Sequence, residues 1–240
     1  MKICDIHTHI LPYVDDGAKD IQTAVEMLSN AIASDVELAV LTPHCNRPMM
    51  EGNFWSKKIE DSYTRLCETS SHLPIKIVLG SELFVTDDVR DVLKNNKVLT
   101  LNNSRYLLAE FPNFCDRKFF VDKLNDIKEM GYIPLVAHPE RYEEVISQPG
   151  IVEEWLEMGC HIQLTGGSVV GRYGEKIQKT AQTLLKKDFV CCVASDAHGT
   201  VRRNNNLLDV YSFLSLYYSK QYAKVLLYDN PLAICKNATL

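Results

Sequence analysis

A parallel α/β fold of about seven strand–helix units, forming a barrel that is complete or short by a unit, is what this sequence predicts. Three observations carry the prediction. Seven short apolar runs recur along the 240 residues, with helix-like segments between them. These runs are continuously apolar rather than alternating, which suits strands buried on both faces of a parallel sheet. Their spacing, roughly 25 to 35 residues, is that of repeated βα units. An open doubly wound sheet is the alternative arrangement of the same elements.

Taken in order, the first strand is "KICDIH" (2–7), followed by a helix over "DIQTAVEMLSNAIAS" (20–34). In that helix Ile21, Val25, Leu28 and Ile32 recur at helical spacing, and Asp20 stands where an N-cap belongs. The second strand, "LAVLTPH" (38–44), leads to the helix "WSKKIEDSYTRLCETS" (55–70) and the third strand, "KIVLGSE" (76–82). "YLLAEF" (106–111) is followed by the helix "KFFVDKLNDIKEM" (118–130), and "IPLVAH" (133–138) and "CHIQLT" (160–165) are the next strands. The helix "YGEKIQKTAQTLLKK" (173–187), the strand "FVCCVAS" (189–195) and one long helical run, "NNLLDVYSFLSLYYSKQYAKVLL" (205–227), complete the series.

At 46% hydrophobic and without a low-complexity linker, residues 1–240 read as a single domain. The net charge of −5 offers no basic stripe for phosphate backbones, so no nucleic-acid partner is expected. "MKICDIHTHI" lacks a signal-peptide core, and no apolar run approaches the roughly 18 residues of a membrane span. A cytoplasmic protein with no membrane insertion is expected. The eight cysteines show no CxxC spacing and read as reduced core residues. None lies six residues before an arginine, which argues against a thiolate phosphatase.

The ends of the strands carry the chemistry. His7 and His9 end the first, His44 the second, Glu82 the third, Glu110 the fourth, His138 the fifth, and Asp196 with His198 the last. In a parallel barrel these ends open on one face, where active sites of that architecture lie. Five of the seven histidines fall in this set; His161 sits inside a strand and His72 closes a helix. Residues i and i+2 of a strand project to one side, so His7 and His9 can meet one ion, and Asp196 and His198 share the spacing. Mixed imidazole and carboxylate donors favour Mn, Fe or Zn over Ca, and so many donors imply two or three ions.

The stretches "DIHTHILPYVDDGAKD", "TPH", "GSEL", "LLAEFP", "VAHPERY", "QLTGGSVVGRYG" and "SDAHG" with the following "RR" resemble, in order, the bacterial capsule and exopolysaccharide protein-tyrosine phosphatases. These belong to the polymerase and histidinol phosphatase (PHP) superfamily. The resemblance implies a distorted (β/α)7 TIM-like barrel, the PHP fold, with three divalent ions at the C-terminal ends of its strands. It assigns His7, His9, Glu82 and Asp196 to one ion; Glu82, Glu110 and His138 to a second; and Asp16, His44 and His198 to a third. Asp15 is the rival of Asp16. Arg141 and Arg203 are the implied phosphate contacts, with Arg202 the rival of Arg203.

The activity implied is hydrolysis of phosphotyrosine on a protein, the tyrosine-rich tail of an autokinase controlling polysaccharide export, by a hydroxide bridging two ions, Mn first among the candidates. A monomer and a small homo-oligomer are both open. Two alternatives keep the site: a phosphatase of histidinol phosphate or another small phosphomonoester, and a metal-loaded module that binds phosphoproteins without turnover. An amidohydrolase would want a ligating lysine after a middle strand, where Glu82 and Glu110 stand.

Overall fold

A computed structural model describes residues 1–48 and 52–240. Among the described residues nine strands form two sheets in which every pairing is parallel. They are β1 (Ile3–Thr8), β2 (Val36–Leu41), β3 (His44–Cys45), β4 (Lys76–Leu79), β5 (Glu82–Phe84), β6 (Tyr106–Glu110), β7 (Ile133–Ala137), β8 (His161–Thr165) and β9 (Cys192–Ala194). The smaller sheet has the order β1-β2-β4 and the larger β3-β5-β6-β7-β8-β9. A parallel bridge between Thr8 and Ala197 joins the first strand to the chain leaving the last. The Asp196 N–H donates to His7 O at 2.9 Å beside it.

The second and third strands expected from the sequence are each cut in two. The first cut falls at Thr42–Pro43 and the second at Gly80–Ser81, so both chains leave the small sheet and re-enter the large one at the same level. Pro43 has no N–H to give a ladder, and its carbonyl instead accepts from Glu82 N at 3.1 Å. A Cβ at Gly80 would lie 3.0 Å from Leu101 Cδ2 and 3.1 Å from Val40 Cγ1, so a bare backbone suits the second crossing. His44 and Glu82, paired in register, are the first residues after the crossings.

Both sheet faces are buried, as continuous apolar runs require. In β6, Tyr106 and Leu108 join one core cluster and Leu107 and Ala109 another; in β7, Leu135 and Ala137 part from Val136 in the same way. Phe111, Phe120, Tyr142 and Trp155 fill the larger cluster with the flanking helices.

Helix Ile21–Ala33 begins as expected, with Asp20 Oδ1 accepting from Thr23 N at 2.7 Å. Its buried face is Ala24, Met27, Leu28 and Ala31; of the expected stripe, Leu28 is buried, Ile21 and Val25 pack partly buried against the same core cluster, and Ile32 is half-buried. Helices Lys57–Thr69, Arg117–Glu129 and Glu175–Lys186 match their expected segments, and Val89–Asn95 is an additional helix. The long C-terminal run is not one helix. Leu208–Tyr217 stops at Tyr218, Ser219 is extended and caps Lys220–Lys224 by accepting from Tyr222 N at 3.0 Å, and a π turn and Asn230–Cys235 follow. No helix among the described residues is long and apolar enough to cross a membrane. All eight cysteines are free.

Candidate metal centre

Strand ends of both sheets bring the predicted donors together. Glu110 is the last residue of β6, and His138 and Asp196 follow β7 and β9 with left-handed backbones, φ 37° and 51°. Such φ values are costly for non-glycine residues, and here they turn the side chains off the strand line into the cluster. His7, His9, Glu82 and Asp196 are wholly or almost wholly buried, whereas Asp16 is 46% exposed and forms the outer edge.

Three histidines have one ring nitrogen already committed. His7 Nδ1 lies 2.9 Å from Gln163 Oε1, His9 Nδ1 lies 2.8 Å from Asp15 Oδ2, and His198 Nδ1 lies 3.0 Å from the Asp196 carbonyl. Each of these partners accepts, so each Nδ1 carries a hydrogen and each Nε2 is the nitrogen left facing the cluster. The Nε2 atoms of His7 and His9 are 3.2 Å apart, with Glu82 and Asp196 oxygens within 3.2–3.5 Å of them. His198 Nε2 faces Asp16 Oδ1 at 3.5 Å and has no hydrogen-bond partner among the described residues, like buried Glu110 Oε2. Ring nitrogens this close to one another and to carboxylates suit a cation shared among them, a proton or a metal ion.

The donor atoms form three overlapping sets, in each of which all atoms lie within 4.8 Å of one another: His9, Asp16, His44 and His198; His7, His9 and Glu82; and His44, Glu82 and Glu110. Any of these could hold an ion, and no thiolate is among the donors, so the chemistry fits a hydrolytic rather than a closed structural site. The grouping differs from the one the resemblance implies. His44 lies 2.8 Å from Glu82 Oε2 and 3.6 Å from Glu110 Oε2 as well as 3.4 Å from Asp16, and so touches two sets. His138 joins none; its Nε2 lies 2.8 Å from Glu82 Oε1. Asp196 also stands outside them, held by two arginines.

Those arginines are Arg141 and Arg203. Arg141 Nη2 reaches Asp196 Oδ2 at 2.7 Å and Thr165 Oγ1 at 2.9 Å, and Arg203 Nη2 spans both Asp196 oxygens at 2.9 Å. The Nε of each arginine is buried and has no partner among the described residues. Arg202 is exposed and touches none of the donors. Asp15 and Asp16 are likewise separated: Asp16 approaches His44 and His198, while Asp15 braces His9 and accepts from the Gly17 and His44 N–H groups, both at 3.0 Å.

Burial opposes charge on Glu82 and on Asp196, yet the surrounding imidazoles, His7 first, and Arg141 beside Asp196 hold both carboxyls well below the usual range. Burial and the nearby Glu82 charge push Glu110 up to about 7. Burial and a neighbouring positive charge lower His138 and His198 to about 4, whereas burial is outweighed at His7, His9 and His44 by the carboxylates around them, which raise all three.

Sequence reasoning missed Arg47, whose guanidinium contacts His44 and lies 4.0 Å from Glu110 Oε2. An arginine three residues beyond a strand-end histidine was its only signal. Gln163, in the middle of β8, gave none.

A family model described as capsular polysaccharide synthesis, CpsB/CapC, matches residues 3–236. The tyrosine-protein phosphatase CpsB of Streptococcus pneumoniae is 31% identical over 237 residues, covering 96% of this chain and 97% of that protein. The tyrosine-protein phosphatase YwqE of Bacillus subtilis is 28% identical over 236 residues, covering 98% and 92%. A solved structure from work on YwqE and CpsB, described there as unique metal-dependent tyrosine phosphatases, superposes with a TM-score of 0.91 at 28% identity, covering 99% of this chain and 96% of that one.

Proposed function

Because the chain belongs to the capsular polysaccharide synthesis family CpsB/CapC, we propose that it is a metal-dependent protein-tyrosine phosphatase, a single domain over residues 1–240 in which the two sheets are halves of one distorted (β/α)7 barrel. The observation that carries the reading is the set of three histidines whose Nδ1 atoms are tied back and whose Nε2 atoms face carboxylates, buried Glu82 and Asp196 for His7 and His9 and half-exposed Asp16 for His198. His7, His9, Asp16, His44, Glu82, Glu110, His138, Asp196 and His198 would hold two or three divalent ions, Mn foremost, with Fe or Zn able to use the same donors. Ions held there supply Lewis acidity toward phosphoryl oxygens and a nucleophile active near neutral pH.

The chain's own groups do the remaining work. Asp15, Gln163 and the Asp196 carbonyl fix the imidazole orientations. Arg141 and Arg203, which grip the Asp196 carboxylate at the edge of the cluster, would clamp the phosphoryl group with their guanidiniums, whose planar fork matches phosphate oxygens. Thr165 holds Arg141 in place. A phenolate leaves readily, so the demand on a general acid is small. The substrate is then phosphotyrosine on a cytoplasmic protein, a tyrosine autokinase of polysaccharide export, and the enzyme acts as a monomer or small homo-oligomer.

The test is phosphate release after chelation and reloading with Mn. Phosphotyrosyl peptides should be hydrolysed and the chelated chain should be inert. Release from histidinol phosphate alone would move the assignment to a small phosphomonoesterase, and tight peptide binding without release would make the chain a binding module.

A further inference from the structure

Residues 166–174, in the "QLTGGSVVGRYG" stretch, and residues 199–206 contain no donor of the metal cluster. Together they build a cavity of about 350 Å³ lined by Arg172, Tyr173, Val201, Arg202, Arg203 and Asn204. Tyr173 is its aromatic wall. A Cβ on Gly167 would lie 2.6 Å from Tyr173 Cε2, so only glycine lets the ring settle against that backbone. The Arg141 guanidinium lies over the same ring, 4.7 Å from its centroid. Arg203 lines the cavity and Arg141 lies over its Tyr173 wall, so the cavity adjoins the two arginines that grip Asp196.

The three guanidiniums in its lining are not equivalent. Arg203 is bound to Asp196, and Arg172 to Asp209 at 2.9 Å and to Asn204 at 3.3 Å. Arg202 is exposed and has no carboxylate partner among the described residues. Its backbone is nonetheless held by the loop. His198 N–H donates to Arg203 O at 2.8 Å, Asn204 Nδ2 donates to Val201 O at 3.1 Å, and the left-handed Arg203, φ 49°, turns the chain so that one arginine faces Asp196 and its neighbour faces solvent. Val201, 81% exposed, adds an apolar surface beside it.

We propose that this cavity is a second subsite that takes an anionic side chain flanking the phosphotyrosine of the substrate, with Arg202 as the specificity-determining cation. The proposal rests on the phosphotyrosyl-protein reading above. A pre-positioned, uncompensated cation beside an aromatic wall rewards a carboxylate or a second phosphate, whereas a neutral flank meets only Tyr173 and Val201.

The test uses fluorescein-labelled peptides bearing a non-hydrolysable difluorophosphonate analogue of phosphotyrosine, with neutral, glutamate or second phosphotyrosine flanks. Anisotropy titrations on the Mn-loaded chain need no turnover. At least one anionic flank should bind about fivefold tighter than the neutral one, the scale of a solvent-exposed ion pair. Arg202→Ala should collapse that ratio to about one, and Arg202→Lys should keep part of it. A preference for the phosphate flank alone names phosphate as the anion; one shared by glutamate makes it any acidic side chain. No preference in the native chain, or one that survives Arg202→Ala, overturns the proposal. Failure to hydrolyse p-nitrophenyl phosphate, measured separately, would count against the phosphatase reading and leave the binding ratio legible.

Discussion

Asp15 accepts three hydrogen bonds, from His9 Nδ1 and from the backbone N–H groups of His44 and Gly17. It thereby links two ring donors without belonging to any of the three donor sets. Replacing it by asparagine keeps the shape and removes the charge that orients His9 and favours its Nδ1–H form. Asp15→Asn should weaken Mn binding by about 10- to 100-fold, the usual cost of losing such a partner, and should also lower the unfolding midpoint of the chelated protein, since the new NH2 must face an N–H that Asp15 now accepts from. Calorimetric metal titration and thermal scans would check both halves; unchanged affinity would remove the bracing role. At this scale the sequence was informative about donors and poor about their supports. His7, His9, Asp196 and His198 announce themselves by i, i+2 spacing at strand ends, a local pattern. Gln163 and Arg47 matter only because the fold carries them next to His7 and His44, and a lone glutamine in a strand looks like any other polar residue.

Tyr142 joins two donor-bearing strands. Its hydroxyl donates to Ala137 O at 2.7 Å and accepts from Phe111 N at 2.9 Å, so the ends of β7 and β6 are tied through one buried oxygen. Tyr142→Phe leaves a buried amide and a buried carbonyl without that partner, at a cost of about 1–3 kcal/mol. The urea midpoint should fall with the slope unchanged, and activity should fall too, since Glu110 and His138 ride on those strand ends. An unshifted midpoint would mean that water replaces the hydroxyl. Element positions were largely legible, because apolar runs and caps such as Asp20 are local signals. The crossings at Pro43 and Gly80 were not: "LAVLTPH" and "KIVLGSE" read as unbroken strands, and what divides them is contact with Val40 and Leu101 and a pairing between His44 and Glu82. The break at Tyr218 was equally hidden, since Tyr and Ser are tolerated within helices.

For the molecule as a whole, the buried carboxylates and imidazoles couple folding to cations. An ion that binds only the folded chain at about 100 times its dissociation constant adds about 2.7 kcal/mol, which for a domain of this size raises Tm by about 5–10 °C. Thermal scans with and without Mn should show such a rise, abolished by chelator; an invariant Tm would argue against ions within the cluster. The two sheets share that cluster. His7 and His9 come from β1 and the loop after it, on the small sheet, while His44, Glu82 and Glu110 belong to the large one. Because His44 and Glu82 are the first residues past the crossings, any slip of one sheet along the other changes their distance from His7 and His9. Metal affinity in this fold is therefore a gauge of sheet alignment, and substitutions far from the donors that shift the alignment at Thr42–Pro43 or Gly80–Ser81 would register as altered loading before they register as unfolding.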